Sequence, residues 1–249
     1  VFKELGADVI KLACKPDGIN INENCGSMHP EELVANIKEH SADFGIAFDG
    51  DGDRVIIADR NGELLNGDKL IYLIVKSYEA LGNRLPGVVG TVMTNMAMEL
   101  ALKEQGYEFV RAKVGDRYVV EELLKRNWLV GGEASGHLLC LDKHTTGDGI
   151  ISALQVLAGI VILNQQPHEV IDWQDYPQTM INVRFTDKEF DWQSASRDAI
   201  REVETELNGK GRVIVRASGT EPLVRVMVEA KDALLAKSCA EKIAQTIKG

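Results

Sequence analysis

Two rhythms of apolar residues alternate along most of the chain. Short apolar runs at 43–48, 55–59, 88–92, 107–112 and 128–131 read as strands. Over 30–40, 68–80, 95–105 and 116–126 the apolar residues return at three- and four-residue spacing, which predicts helices with one buried face. The Asn61-Gly62 pair between the second strand and the next apolar stretch is a hairpin signal. At the start, Val1 to Gly6 reads as a helix end with a glycine stop, followed by a strand from Asp8 to Leu12. A chain that opens on the last turn of a helix implies further sequence upstream.

The longest apolar run, Ile150 to Leu163, is interrupted by Ser152 and Gln155. It falls short of the roughly 20 residues of a spanning helix and is predicted to be a buried core helix. Beyond it the order changes. A strand at 179–185 leads to a helix at 195–207, then strands at 212–216 and 224–229 and a helix at 233–247. Helix–strand alternation over 62–176 predicts a mostly parallel sheet covered by helices, and the later order predicts an α+β domain with an antiparallel sheet. Three blocks follow: 1–61, 62–176 and 177–249, with Asp175-Tyr176-Pro177 as linker.

Charge narrows the partners. A net charge of −10 and a pI near 5.1 disfavour nucleic acid and acidic membrane surfaces. A small anionic ligand then requires a local positive site. Four cysteines, Cys14, Cys25, Cys140 and Cys239, are widely spaced and form no CxxC pair, which reads as reduced cytosolic thiols. No signal peptide opens the sequence, and a cytoplasmic setting is expected.

Candidate chemistry sits in four loops. Asp49-Gly50-Asp51-Gly52-Asp53-Arg54 follows the strand ending at Phe48. Three carboxylates at alternate positions on a glycine-softened backbone can converge on one hard cation, Mg²⁺ or Ca²⁺. An ordinary Asp/Gly turn is the plainer reading. An EF-hand fails, because its sixth position is Arg54 and its twelfth is Arg60. An aspartyl-phosphate nucleophile after a strand is a further rival, though the third Asp and the adjacent Arg54 fit a metal cup better. In Gly132-Glu133-Ala134-Ser135-Gly136-His137 a carboxylate and a hydroxyl two residues apart can grip vicinal hydroxyls, and a hairpin loop with a surface Glu is the alternative. Lys113-Val114-Gly115-Asp116-Arg117-Tyr118 reads as a helix start with Asp116 as N-cap. Arg216-Ala217-Ser218-Gly219-Thr220-Glu221-Pro222 offers a guanidinium fork, two hydroxyls and a glycine backbone, a set suited to one phosphate dianion. A polar hairpin loop is the alternative there.

In their order these loops resemble those of the α-D-phosphohexomutases, and the resemblance runs from Val1 to the C-terminus. It implies two α/β domains of that family, the first incomplete, followed by an α+β domain with an antiparallel sheet. By the resemblance Asp49, Asp51 and Asp53 bind Mg²⁺ together with a phosphoserine, and Arg54 lies beside that phosphoserine. Glu133 and Ser135 contact sugar hydroxyls, with His137 near the reacting centre. Lys113, Asp116 and Arg117 form another loop of the site, whose GDR version is that of the phosphoglucosamine mutase branch. Arg216, Ser218, Gly219 and Thr220 hold a phosphate, with Arg225 on the next strand assisting. The implied reaction interconverts glucosamine 6-phosphate and glucosamine 1-phosphate through a 1,6-bisphosphate, feeding UDP-N-acetylglucosamine and cell-wall precursor synthesis. A phosphosugar is the implied partner, and a homodimer is compatible with the resemblance. The family's active serine lies in a Ser-His-Asn-Pro loop. No such motif occurs in residues 1–249, where the nearest is Ser27-Met28-His29-Pro30. The 249 residues taken alone are therefore expected to be inactive. A sister mutase acting on glucose or mannose phosphates, and a non-catalytic phosphosugar-binding module, are the competing readings.

Overall fold

The computed structural model describes residues 1–184, 191–218, 221 and 223–247. It divides into two compact units: 1–94 with 102–172, and 95–101 with 173–249.

In the first unit, helix α1 (Glu31–His40) packs on a three-stranded antiparallel sheet of β1 (Phe44–Phe48), β2 (Val55–Asp59) and β3 (Leu64–Leu65). The approach is close. A Cβ on Gly45 of β1 would lie 2.7 Å from Leu33 and 2.8 Å from Ile37 of α1. Strand β2 is buried along its whole length. The Asn61-Gly62 turn joins β2 to β3, with Gly62 at φ +81°.

The rest of the first unit carries α2 (Gly67–Ala80), β4 (Gly87–Thr91), α3 (Met96–Glu104, of which 102–104 lie in this unit), β5 (Glu108–Ala112), α4 (Asp116–Arg126), β6 (Val130–Gly132), β7 (Leu138–Cys140), α5 (Gly149–Leu163) and the short α6 (Pro167–Val170). The sheet order is β5-β4-β6-β7, parallel except for β7. Val119 and Leu123 of α4 join Val89, Ala112, Trp128 and Leu139 in one core cluster. Helices α2 and α5 pack together at Gly159, where an added Cβ would meet Ser77 at 2.9 Å.

In the second unit β8 (Gln178–Arg184), α7 (Trp192–Leu207), β9 (Gly211–Ala217), β10 (Leu223–Ala230) and α8 (Ala233–Ile247) form an antiparallel sheet of order β8-β10-β9 with its core under α7 and α8. Val224, Val226 and Val228 of β10 alternate into that core, as period-two geometry requires.

Several expectations need correction. Residues 8–12 form no strand and are mostly exposed. An extended segment becomes a strand only where a neighbour completes its hydrogen-bond ladder, and none does so here among the described residues. The apolar helix at 150–163 is not buried all round. Ser152, Ala153, Val156, Gly159 and Ile160 are buried, whereas Ile150 and Val161 are exposed. Composition there reported apolarity on every face, while burial follows only the faces that meet α2, β2 and β7. Asp116 is not the N-cap of α4. Gly115 holds that place at φ +122° and Asp116 is the first helical residue. Beside these corrections, the expected linker at 175–177 carries hydrogen bonds of its own: Tyr176 N–H donates to Asn95 Oδ1 at 3.0 Å, Asn95 Nδ2 donates to the Tyr176 carbonyl at 3.1 Å, and Ala230 N–H donates to the Pro177 carbonyl at 3.2 Å.

Candidate active site

The Asp49–Arg54 loop closes on itself. Asp49 Oδ1 accepts the Arg54 N–H at 3.0 Å and Gly52 N–H donates to the Asp49 carbonyl at 3.2 Å. The curl brings one carboxylate oxygen from each of Asp49, Asp51 and Asp53 within 4.8 Å of one another. Arg54 Nε lies 3.7 Å from Asp49 and 3.9 Å from Asp53, too far to neutralise three negative charges by direct bonding. Asp53 Oδ1 is buried with no hydrogen-bond partner among the described residues. A buried carboxylate oxygen left in that state is costly, and a hard divalent cation would satisfy it. The donor set is all oxygen and fits Mg²⁺.

The Glu133–His137 loop is joined to this one. Val55 N–H donates to the Gly136 carbonyl at 3.0 Å, and Arg54 forms a β-bridge with His137. A Cβ on Gly136 would stand 2.2 Å from the Val55 carbonyl oxygen, so only glycine allows this contact; its φ of +96° demands glycine as well. His137 is buried, and its Nδ1 lies 3.0 Å from Asp53 Oδ2. Its Nε2 is buried without a partner among the described residues. We assign the proton to Nδ1, which donates to the carboxylate and leaves no N–H unpaired.

Glu133 ties in the third loop. Its Oε1 accepts the Gly115 N–H at 2.8 Å, and its Oε2 lies 3.3 Å from Ser135 Oγ. The start of α2 backs the loop, since Gly67 N–H donates to the Ala134 carbonyl at 2.9 Å. The loops 113–117 and 133–137 both leave the carboxyl ends of parallel strands, β5 and β6, which flank β4. The chain reverses its direction of sheet growth at β4, and such a switch point is where open α/β sheets bind ligands. Lys113 Nζ lies 5.6 Å from the Tyr118 ring centroid, and Arg117 is exposed and bonded to Glu121 at 2.9 Å.

In the second unit, Arg216 of β9 stands directly opposite Arg225 of β10. Two guanidiniums facing across an antiparallel pair repel. Arg225 Nε is buried with no hydrogen-bond partner among the described residues. Ser218 N–H donates to the Leu223 carbonyl at 2.8 Å, closing the hairpin. Gly219 and Thr220, also expected in this site, lie outside the described residues.

Two features escaped the sequence reading. The loop after β4, Val92 to Thr94, ends at the same sheet edge, and Arg111 Nη1 donates to the carbonyls of Thr91 at 3.0 Å and Thr94 at 2.7 Å. The segment Thr146 to Gly149 reaches the Asp49–Arg54 loop, where Gly149 N–H donates to the Gly52 carbonyl at 2.8 Å. Its only sequence signal is an N-cap: Asp148 accepts the Ile151 N–H at 2.9 Å.

Comparison with known proteins decides the family. The phosphoglucomutase/phosphomannomutase models match in order: alpha/beta/alpha domain II over residues 1–62, alpha/beta/alpha domain III over 66–176 and the C-terminal domain over 180–246. The chain belongs to the phosphoglucomutase/phosphomannomutase family. A phosphoglucosamine mutase of Neisseria subflava is 62% identical over 250 residues, covering 100% of this chain and 56% of that protein. One from Ralstonia nicotianae (strain ATCC BAA-1114 / GMI1000) is 58% identical, covering 99% of this chain and 56% of its own length. The chain thus spans a little over half the length of the curated relatives it matches. Among solved structures, a family protein from Burkholderia thailandensis superposes with a TM-score of 0.78 at 22% identity, over 99% of this chain and 56% of that one. The N-acetylphosphoglucosamine mutase of Aspergillus fumigatus, solved with GlcNAc-6P and magnesium, gives 0.69 at 21% identity, over 92% of this chain and 57% of that one. These structural likenesses speak for the family's fold: α/β domains followed by one with an antiparallel sheet.

Proposed function

We propose that the protein carrying this chain is a Mg²⁺-dependent phosphoglucosamine mutase, which interconverts glucosamine 6-phosphate and glucosamine 1-phosphate through a phosphoserine and a 1,6-bisphosphate. The observation that carries the reading is the convergence of Asp49, Asp51 and Asp53 within 4.8 Å, tied through Asp53 and His137 to the Glu133 loop. The relatives that match the chain over its whole length support the choice of sugar.

Each group has a role in this reading. Asp49, Asp51 and Asp53 would hold the cation, which supplies Lewis-acid stabilisation of the transferring phosphoryl group. Arg54 adds positive charge at the same place. Glu133 and Ser135 orient the sugar hydroxyls, with Lys113, Asp116 and Arg117 on the neighbouring loop. His137 sets Asp53. Arg216, Ser218, Gly219, Thr220 and Arg225 hold the phosphate that is not reacting, so that one loop serves both orientations of the intermediate. The phosphoryl carrier is a serine outside residues 1–249, since no Ser-His-Asn-Pro motif occurs within them. A cytoplasmic setting belongs to the same reading and is supported by four unpaired thiols.

The test is to assay the full-length enzyme with Mg²⁺ and a catalytic bisphosphate on glucosamine 6-phosphate, glucose 6-phosphate and mannose 6-phosphate. Glucosamine 6-phosphate should give the highest kcat/KM. Preference for a hexose phosphate would make the protein a sister mutase. Failure to exchange label with a labelled bisphosphate would make it a binding module.

A further inference from the structure

We propose that Gly147, backed by Gly149, is a positioning element for the triple-aspartate loop, holding the His137 imidazole against Asp53 so that the carboxylates are set before a divalent cation arrives. The inference rests on the reading of Asp49, Asp51 and Asp53 as a cation site.

Neither glycine is demanded by its own backbone, since neither has φ in the left-handed region. What demands them is space. A Cβ on Gly147 would stand 2.3 Å from Nε2 and 2.4 Å from Cε1 of His137. The His137 side chain is only 6% exposed and has little room to retreat. With Nε2 unpartnered among the described residues, hydrogen bonding fixes the ring at one point, Nδ1 on Asp53 Oδ2. One bond leaves a ring free to tilt, and the flat wall at Gly147 removes that freedom. Gly149 acts on the backbone. Its N–H holds the Gly52 carbonyl at 2.8 Å, and a Cβ there would meet Phe48 Cδ1 at 2.7 Å and the Arg54 carbonyl oxygen at 2.8 Å. Asp148 between them caps the 15-residue helix α5, so the segment is anchored to a rigid element. A side chain at 147 must turn the imidazole, and the turn passes to Asp53. Partners that orient metal ligands in this way alter affinity without touching the metal.

The test uses the full-length protein as parent and as the variants Gly147→Ala, His137→Ala, His137→Ala/Gly147→Ala and Asp51→Asn. Two readouts are taken: Mn²⁺ affinity by electron paramagnetic resonance, and the metal-free long-range ¹H–¹⁵N spectrum of His137. The parent should bind Mn²⁺ and show a proton on Nδ1; Asp51→Asn should lose the ion and keep the spectrum. Gly147→Ala should displace the His137 resonances and weaken Mn²⁺ by about 10–100-fold. The double variant should fold and bind like His137→Ala, because the ring that the new methyl would strike is gone. The proposal is overturned if Gly147→Ala keeps the parent's spectrum and affinity, or if the double variant binds more weakly than His137→Ala or fails to fold. A parent that takes up no Mn²⁺ would instead remove the cation reading, and the proposal with it.

Discussion

The proposed metal loop and the proposed phosphate hairpin are built in different ways. Residues 49–55 curl on themselves at Asp49 and are braced by contacts from far along the chain: His137 on Asp53, Gly136 on Val55 and Gly149 on Gly52. The 216–225 hairpin is held by its own strands, with Arg216 opposite Arg225 and Ser218 closing on Leu223. Three carboxylates must be forced together before a cation arrives; the local curl of the loop brings them close, and the non-local contacts brace that curl. A phosphate site needs donors on a stable support, which the antiparallel register of β9 and β10 supplies locally. The difference predicts where each site is fragile. The metal loop should fail through packing changes at a distance, and the hairpin only through its own side chains.

The largest effect separates both regions from the missing step. Purified residues 1–249 should give no turnover of glucosamine 6-phosphate with Mg²⁺ and bisphosphate. Activity lost on Asp49→Asn would mean that an aspartate carries the phosphoryl group and that the cup reading is wrong. Next comes Gly136→Ala in the full-length protein. Overpacking against the Val55 carbonyl, 2.2 Å from the new Cβ, should destabilise the protein by about 1–3 kcal/mol and weaken Mn²⁺ binding. Gly18→Ala, with no atom within 4 Å, serves as a control for the strain of a positive φ alone. Equal melting temperatures for the two variants would mean that the Val55 contact adds nothing beyond the strain of a positive φ.

Arg216→Ala tests the hairpin. Loss of a charge-assisted phosphate contact costs about 1.5–3 kcal/mol, a rise of about 10–150-fold in the KM of the full-length enzyme. Mn²⁺ affinity should not change, because the variant leaves the aspartate loop intact. An unchanged KM and kcat would remove the phosphate assignment.

Most elements were legible because each carries its own periodicity. Helix α4 at 116–126 and α8 at 233–247 fall where apolar spacing placed them. The Asn61-Gly62 turn and the antiparallel C-terminal sheet follow from local chemistry in the same way. The partners of the metal loop were not legible. Asp53 and His137 are 84 residues apart, and nothing in either motif names the other. Gly147 looks like any turn glycine until the imidazole is in view. The 8–12 segment and the outer face of α5 were misread for a related reason: strand and burial depend on a neighbour, and apolarity alone does not supply one.

The smallest effect concerns the two opposed arginines. Arg216 and Arg225 face each other on neighbouring strands, and like charges so placed cost about 0.2–1 kcal/mol in the absence of a shared anion. Arg225→Gln keeps a long polar side chain and removes one charge. In phosphate-free, low-salt buffer it should raise stability slightly, since repulsion is relieved. In excess inorganic phosphate the order should reverse. An anion that binds the folded state stabilises it by mass action, and the parent, with both guanidiniums, gains more than the variant. The measurement is a pair of melting curves for each protein, with and without phosphate, at matched ionic strength so that general screening cancels. Phosphate should raise the parent's midpoint more than the variant's. A variant that is less stable in both buffers, with equal shifts, would mean that Arg225 supports the sheet and not the anion, and that the hairpin carries one phosphate-binding guanidinium, Arg216, instead of two.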